Sequence, residues 1–541
     1  MSVSRRELLG LIAGAPLMAT APGCKHSPRD IPGKLVGPDP SVGHRLRDAT
    51  VERASGEAKR VKVVIVGAGP SGLSAAWRLE RAGFKDFVVL ELEPEPGGTS
   101  SFGTDGVVPH PWGAHYVPVP TRDNRALTAL LDEMGALEAR GPDGEPRGKE
   151  ELLVREPEER VFADGRWHEG LWPQAIATDE DRAELERFQK EIDRWVTWRD
   201  GKGRRAFALP LRQSSDDAEV TALDRISAAA WLDQRGLSGD VLRWWVEYAC
   251  RDDYGASLAE TSAWAMLFYF CSRVPAPRAL SAPFLSWPEG NGRIVRHLAS
   301  IAGGRLSTGR LVTDVVPSER DVELSVFDTA QGSLAKVVAD RVIMALPKFV
   351  VPRVLRPFRD QPPEHLRAFD YGVWWVANLH LRRRPKSRGF GMAWDNVIYG
   401  GASLGYVVAT HQRLEDYGPT VLTYYQPVID PEPRLARTKL LELDHTHFVA
   451  EILRELEPAH SDIGKVIERV DVVRWGHAMV RPGPGFIWSA ARKRAAEPLG
   501  RVHFAHSDLS GVGLFEEAQD HGVRAAEEVL RAEGHGFETI L

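Results

Sequence analysis

Cysteine is nearly absent. Three residues in 541, at positions 24, 250 and 271 and with no C-x-x-C spacing, leave nothing to build a metal–thiolate cluster or a redox disulfide. Cys250 and Cys271 could pair in an oxidising compartment but read first as two buried free thiols, and no metal site is expected. Neither sign of charge dominates: 69 Lys and Arg stand against 75 Asp and Glu, which excludes the basic footprint of a nucleic-acid binder. Long apolar runs are lacking as well. The stretch Leu8 to Ala21 holds fourteen residues, too few to cross a bilayer core as a helix. There is no internal repeat. What is present, 43% hydrophobic and 27% charged residues, is ordinary globular composition at a length that suits two to four domain-sized units.

The short apolar run sits directly behind Arg5-Arg6. Residues 1–24 read as a cleavable export signal, and Ser4-Arg5-Arg6-Glu7-Leu8-Leu9 resembles the twin-arginine signal of bacteria, a route that carries proteins already folded. This places the expected location on the periplasmic side of a bacterial envelope. Ala21-Pro22-Gly23-Cys24 resembles a lipoprotein box with Ala where Leu is usual, so Cys24 reads either as a lipid acceptor or as an unpaired thiol. Residues 25–60, rich in Pro, Gly and charge without periodicity, read as a linker.

Folding proper is expected from RVKVVIVGAGPSGLSAAWRLERAGFKDFVVLELEPEPGG. Val61 to Val66 has the continuous apolar character of a strand buried on both faces. Gly67, Gly69, Pro70, Ser71 and Gly72 form the turn into a helix over 71–82, and a second strand over 87–90 ends at Glu91. Gly67 permits a tight turn, Gly69 lets a pyrophosphate approach the backbone, and Gly72 lets the helix lie against the strand. The helix start supplies free N–H groups and a positive dipole end. Glu91, nineteen positions past the last glycine, has the place and charge to accept hydrogen bonds from ribose hydroxyls and to repel a 2′-phosphate.

FAD and NAD share this fingerprint, and two features separate them. Gly97, Gly98 and Thr99 follow the second strand in a further glycine pair, and the far end of the chain returns to a strand at 502–505 and a helix starting near Phe515-Glu516. A nucleotide-binding domain begun near residue 61 and completed near 530 resembles the flavin-containing amine oxidase family, whose relatives include polyamine oxidases, L-amino-acid oxidases, protoporphyrinogen oxidases and carotenoid desaturases. PWGAHYV (111–117), SWPEGNGRIVRHLA (286–299) and ADRVIMALP (339–347) follow in family order.

The resemblance implies an α/β fold in which a Rossmann-like FAD-binding domain (61–135, 301–350, 481–541) is interleaved with a substrate domain, mostly helical over 136–300 and sheet-based over 351–480. It implies non-covalent FAD, held by the glycine turn and Glu91 together with Gly113, Ala114, His115, Val312, Asp508, Phe515, Glu516 and Ala518. The implied activity is hydride removal from a C–H next to nitrogen, on a small-molecule amine. The family lysine beside the flavin is replaced here at about Asn378, with His380 on the same strand face, and the two aromatic rings that flank substrate in monoamine oxidases fall at His477 and Leu514. Asn378, His380 and His477 are therefore the candidate catalytic residues. Those departures keep open a desaturase or isomerase acting on an apolar substrate, and a non-catalytic FAD-bound module. Acidic runs such as Glu156 to Glu159 read as solvated faces.

Overall fold

The computed structural model describes residues 31–48, 53–140, 144–274, 283–413 and 415–541. The signal residues Arg5, Arg6 and Cys24 lie outside them. Two sheets and a helical lobe organise the chain. The first sheet runs, in order, Leu306–Ser307, Phe87–Leu90, Ala58–Val66, Ser333–Met344, Val322–Asp328 and Arg310–Pro317, with Val502–Phe504 joined to Ser333–Met344. Its centre is parallel: Val64 pairs with Val342 and with Val88, and Val342 also pairs with Val502. A central parallel strand covered on both faces needs apolar side chains throughout, and Val63 to Val66 supply them.

The expected strand at 61–66 spans Ala58–Val66, longer at its start because Lys336 to Val338 continue the ladder beside it. The helix is Pro70–Arg81, with Pro70 in the first turn, where its missing N–H costs nothing. Gly83 just beyond it is left-handed (φ +80). The final helix, Phe515–Ala532, lies along Pro70–Arg81, with Gly522 against Ser71.

The second sheet has eight strands, in the order Gly33–Val36, Ile467–Val480, Tyr371–Leu381, Thr420–Val428, Tyr406–Val408, Asp395–Ile398, Glu159–Ala163 and Arg166–Glu169. Its edge corrects one expectation. The stretch read as a linker folds onto the body: Gly33–Val36 adds a parallel strand beside Val470 to Val473, Ile31 is buried in the same core, and Leu46 lies in the core of the first sheet. Four residues are too short for a periodic signal, which is why the sequence did not disclose the strand.

The helical lobe (Asp179–Thr197, Ala228–Asp233, Asp240–Tyr254 and Ala263–Cys271) has its own core around Trp231, Trp264 and Phe268. Cys250 and Cys271 are free thiols in that core, as expected. Among the described residues no helix is long and apolar enough to cross a membrane.

Candidate functional site

Strand Ala58–Val66 ends at Gly67, whose φ of +97 suits glycine and whose added Cβ would lie 2.7 Å from the Ala345 carbonyl oxygen. A Cβ on Gly72 would lie 1.9 Å from the Gly67 oxygen, so helix and strand meet there with no slack. A Cβ on Gly69 would meet nothing within 4 Å: the protein leaves open space on that side. Gly69 offers the helix no side-chain cap, so the first N–H groups stay free.

The next segments close around this turn. Glu91 Oε2 accepts the Ala68 N–H at 2.6 Å, and Oε1 accepts that of Glu93 at 2.9 Å. Burial raises the Glu91 acid, while these backbone bonds pull it down. Gly97 donates to the Ala68 carbonyl at 2.9 Å, and Ala114 donates to that of Thr99 at 3.0 Å. A Cβ on Gly98 would lie 3.6 Å from Gly69 Cα, and one on Gly113 would lie 2.3 Å from the Thr99 oxygen. The backbone of residues 67–72, 91, 97–99 and 113–115 therefore forms one continuous wall. Arg310 N–H donates to the Glu91 carbonyl at 2.7 Å, which brings the strand carrying buried Val312 to its edge.

The helix Phe515–Ala532 packs beside helix Pro70–Arg81 at this turn, with Gly522 against Ser71. Phe515 and Ala518 are buried in its first turn, where Glu516 Oε1 and both ends of the Gln519 amide lack hydrogen-bond partners. Ser71 Oγ, on a residue 2% exposed, also lacks one. Unpartnered buried polar atoms are uncommon and call for an explanation. Here they accompany an uncapped helix start, open space over Gly69 and a carboxylate at the strand end. That donor and acceptor set fits a dinucleotide with its pyrophosphate at the helix start and a ribose at Glu91. Asp508 is engaged differently: its carboxylate accepts from Tyr371 OH (2.6 Å) and the Lys348 N–H (2.8 Å), and its own N–H donates to His506 Nδ1 (3.2 Å), which ties together three chain segments.

The candidate catalytic residues are not gathered in one place. Asn378 donates to the Pro111 carbonyl at 2.9 Å and accepts from Thr423 Oγ1 at 2.7 Å, so both ends of its amide are satisfied. His380 is buried beside Arg469 (3.0 Å) and Asp471 (3.5 Å). His477 stacks on Phe349 at 3.9 Å, near the other end of the same two-strand ladder, where Gly372 pairs with Met479 while His380 pairs with Arg469. Burial pushes the His477 acid down to about 3, leaving a neutral ring.

A group that the sequence reading missed lies past His115 and Tyr116, where the helical lobe meets the second sheet. Glu159 and Asp395 are neighbours in register on adjacent parallel strands. Tyr248, from helix Asp240–Tyr254, donates to Asp395 Oδ2 at 3.2 Å. The same helix carries Asp252 and Asp253, and Arg273 approaches Asp253 at 3.7 Å and Tyr116 OH at 3.4 Å. Asp252, Asp395, Tyr269, Arg273, His115 and Tyr116 lie deep in the protein, yet each keeps part of its surface free, so they line an internal cleft.

Glu159 thus corrects the reading of 156–159 as a solvated face: strand pairing turns it inward. A small pocket adjoins the cleft at His115 and Trp394. The available sequence signals were the consecutive acids Asp252-Asp253 before Tyr254-Gly255, and Asp395 after Trp394.

Burial, and next the charge of Asp253, push the Asp252 acid up to about 7; burial, and next the charges of Glu158 and Glu156, do the same for Glu159. A carboxyl whose folded pKa is raised holds a proton that the unfolded chain gives up near its ordinary value. Its contribution therefore favours the fold at low pH and is lost as pH climbs from between 4 and 5 toward 7. Glu159→Gln removes that loss. The stability of the variant relative to the parent is expected to improve by about 2–3 kcal/mol between pH 5 and pH 8, read from urea unfolding at both pH values. A constant difference would show that Glu159 titrates normally.

Residues 70–530 match the family model described as flavin containing amine oxidoreductase. No curated protein matches the chain. Among solved structures, a putrescine oxidase bound to putrescine superposes with a TM-score of 0.64 at 19% identity, over 88% of this chain and 100% of its own. Cyclohexylamine oxidase from Brevibacterium oxydans IH-35A gives 0.62 at 17%, over 88% and 99%. A CLA-producing fatty acid isomerase from P. acnes gives 0.60 at 13%, over 86% and 98%. At such identities the likeness is one of fold.

Proposed function

Because the chain belongs to the flavin-containing amine oxidoreductase family and is an FAD-dependent oxidoreductase, we propose that it oxidises a cationic amine in the cleft beside His115 and Tyr116. The observation that carries this reading is the surplus of carboxylates there: Asp252 and Asp253 face the guanidinium of Arg273, while Glu159 and Asp395 lie beside Asp252 and make no ion pair among the described residues. Buried carboxylates are tolerated when they are protonated or face a cation. An apolar substrate, as an isomerase or desaturase would take, leaves them uncompensated, and an ammonium group answers them.

Bound FAD supplies a two-electron acceptor: the C–H bond next to nitrogen breaks, hydrogen leaves with the bonding pair as hydride, and the nitrogen lone pair closes an imine that water hydrolyses. The chain's residues do the rest. The helix start at Pro70 and the Glu91 carboxylate would hold the dinucleotide, and Cys250 and Cys271, enclosed in the helical core, would offer it no thioether link. Asp252, with an acid pushed up to about 7, is matched to take the proton an ammonium must lose before it reacts. His115 is held neutral, its acid pushed down to about 4 by burial, and its ring stands 4.9 Å from that of Tyr425 and 5.4 Å from that of Trp394. These faces exclude water and suit a cation. Asn378, satisfied on both sides, positions the Pro111 backbone and takes no proton.

The same reading accommodates export in folded form to the periplasmic side of the envelope. The twin-arginine pattern at Arg5-Arg6 supports it, because FAD is loaded in the cytoplasm and both ends of the chain build its site.

The test is the visible spectrum of the FAD-loaded protein under anaerobic conditions. Addition of primary amines is expected to bleach the flavin band, and addition of unsaturated fatty acids to leave it unchanged. Bleaching by no amine overturns the assignment.

A further inference from the structure

The family model begins at residue 70, yet the chain ahead of it is built into the fold at two separate places. At one end Ile31 is buried against the second sheet, and Gly33–Val36 pairs in parallel with Val470 to Val473. Val36 packs against the apolar cluster that holds Trp374 and Val473. At the other end Arg45–Asp48 packs on helix Val351–Val354, and Leu46 packs on the first-sheet core. Arg45 there lies over the Phe327 ring at 4.2 Å. Residues 37–44 therefore bridge the two sheets.

The neighbours of this bridge fix its course. Strands Phe87–Leu90, Ala58–Val66 and Ser333–Met344 lie side by side in that order, all parallel. A ligand of such a sheet lies in the crevice beyond the carboxyl ends of its strands. Asp39 stands against the Glu93 carboxylate, just past the end of the first strand. Gly67 lies past the end of the second. His44 is within electrostatic reach of His477, whose ring stacks on Phe349, past the end of the third. The bridge thus crosses the carboxyl edge of all three strands, with the glycine turn at the middle of its path.

Its own hold is light. Asp39 caps only the four residues Pro40–Gly43, through the Ser41 N–H at 2.8 Å, and Pro38, Asp39 and Ser41 are exposed. Segments with few buried apolar contacts open locally at low cost. Gly37, left-handed at φ +96, is where the bridge leaves the sheet, and a Cβ on it would lie 2.3 Å from Val473 Cγ2.

We propose that residues 37–44 are a strap that closes over the adenosine and pyrophosphate end of bound FAD and sets the rate at which the cofactor enters and leaves. Such a strap serves the cofactor whatever the substrate.

Two measurements test it, and the first needs no variant. Trypsin cleavage at exposed Arg45 and Arg47 is followed in the FAD-loaded and the stripped protein, with exposed Lys202 in the helical lobe as reference. Bound FAD is expected to slow cleavage at the two arginines about 10-fold or more relative to Lys202. The second is the rate of FAD release, read from the fluorescence of freed flavin after dilution, in Gly37→Ala and Leu46→Asp. The first substitution pushes the strap off Val473, and the second weakens its far anchor. Each is expected to release FAD about 10-fold faster than the parent, while the stripped proteins melt close to the parent temperature. Release at the parent rate in both variants overturns the proposal, and so does cleavage at Arg45 and Arg47 that FAD leaves unchanged. Faster release only in variants whose stripped form melts well below the parent overturns it too, because the whole body would then have loosened.

Discussion

Gly72→Ala is expected to yield a chain of sharply lower stability that leaves purification without its flavin. The added methyl would sit 1.9 Å from the Gly67 oxygen and 3.0 Å from its carbonyl carbon. Both are backbone atoms at the end of the central strand, so no side chain can swing aside. Relief requires helix Pro70–Arg81 to move outward, and the far side is closed as well: Gly522 of the last helix is so near that a Cβ on it would lie 2.2 Å from the Ser71 oxygen. Overpacking of this kind costs about 3 kcal/mol or more. Any outward shift also carries the free N–H groups of the helix start away from a pyrophosphate.

Gly69→Ala provides the contrast. Its Cβ meets nothing in the protein within 4 Å, so the cofactor-free melting temperature should match the parent while flavin content falls. The paired measurement is flavin absorbance per chain together with melting of the stripped protein. An unchanged melting temperature and full flavin content in Gly72→Ala would mean that the turn relaxes in a way its contacts do not disclose.

The glycine turn was readable in sequence because everything it needs is local: an apolar strand, three glycines and an amphipathic helix within some twenty residues. The last helix was readable for the same reason. The carboxylate-lined cleft was not, because it depends on register. Glu159 looks solvated beside Glu156 and Glu158 until the strand pairs with Asp395, at which point alternation turns it inward. Asn378 and His380 share a strand buried along its whole length, so alternation could not distinguish a face toward the cofactor from a face toward the core. His380 and His477 lie on paired antiparallel strands, but at opposite ends of the ladder, and nothing in either segment specifies that offset. The strand at 33–36 has the same character: its partner is Val470 to Val473, and alone it is four unremarkable residues.

Arg273→Met should lower unfolding stability by about 3–5 kcal/mol, the usual cost of removing one partner from a buried pair. The guanidinium approaches Asp253 at 3.7 Å, donates to Tyr116 OH at 3.4 Å and lies within reach of Glu516. Methionine fills much of the same volume, so what disappears is charge rather than packing. Two further outcomes separate this account from a simple packing defect. Asp253→Asn in the Arg273→Met background should recover much of the loss, since it removes the carboxylate left without its counter-ion, and a double-mutant cycle reads that coupling directly.

The deficit should also depend on pH in a definite direction. Burial already raises the Asp253 acid and Arg273 lowers it; without the arginine it rises further, and the variant gains a proton where the parent does not. Stability lost at pH 8 should therefore return progressively as pH falls toward 5. A deficit independent of pH and untouched by Asp253→Asn would place the role of Arg273 in its contact with Tyr116. The inner end of the cleft would then be held by that hydroxyl, and its charge balance would have to come from protons on Asp252 and Asp253.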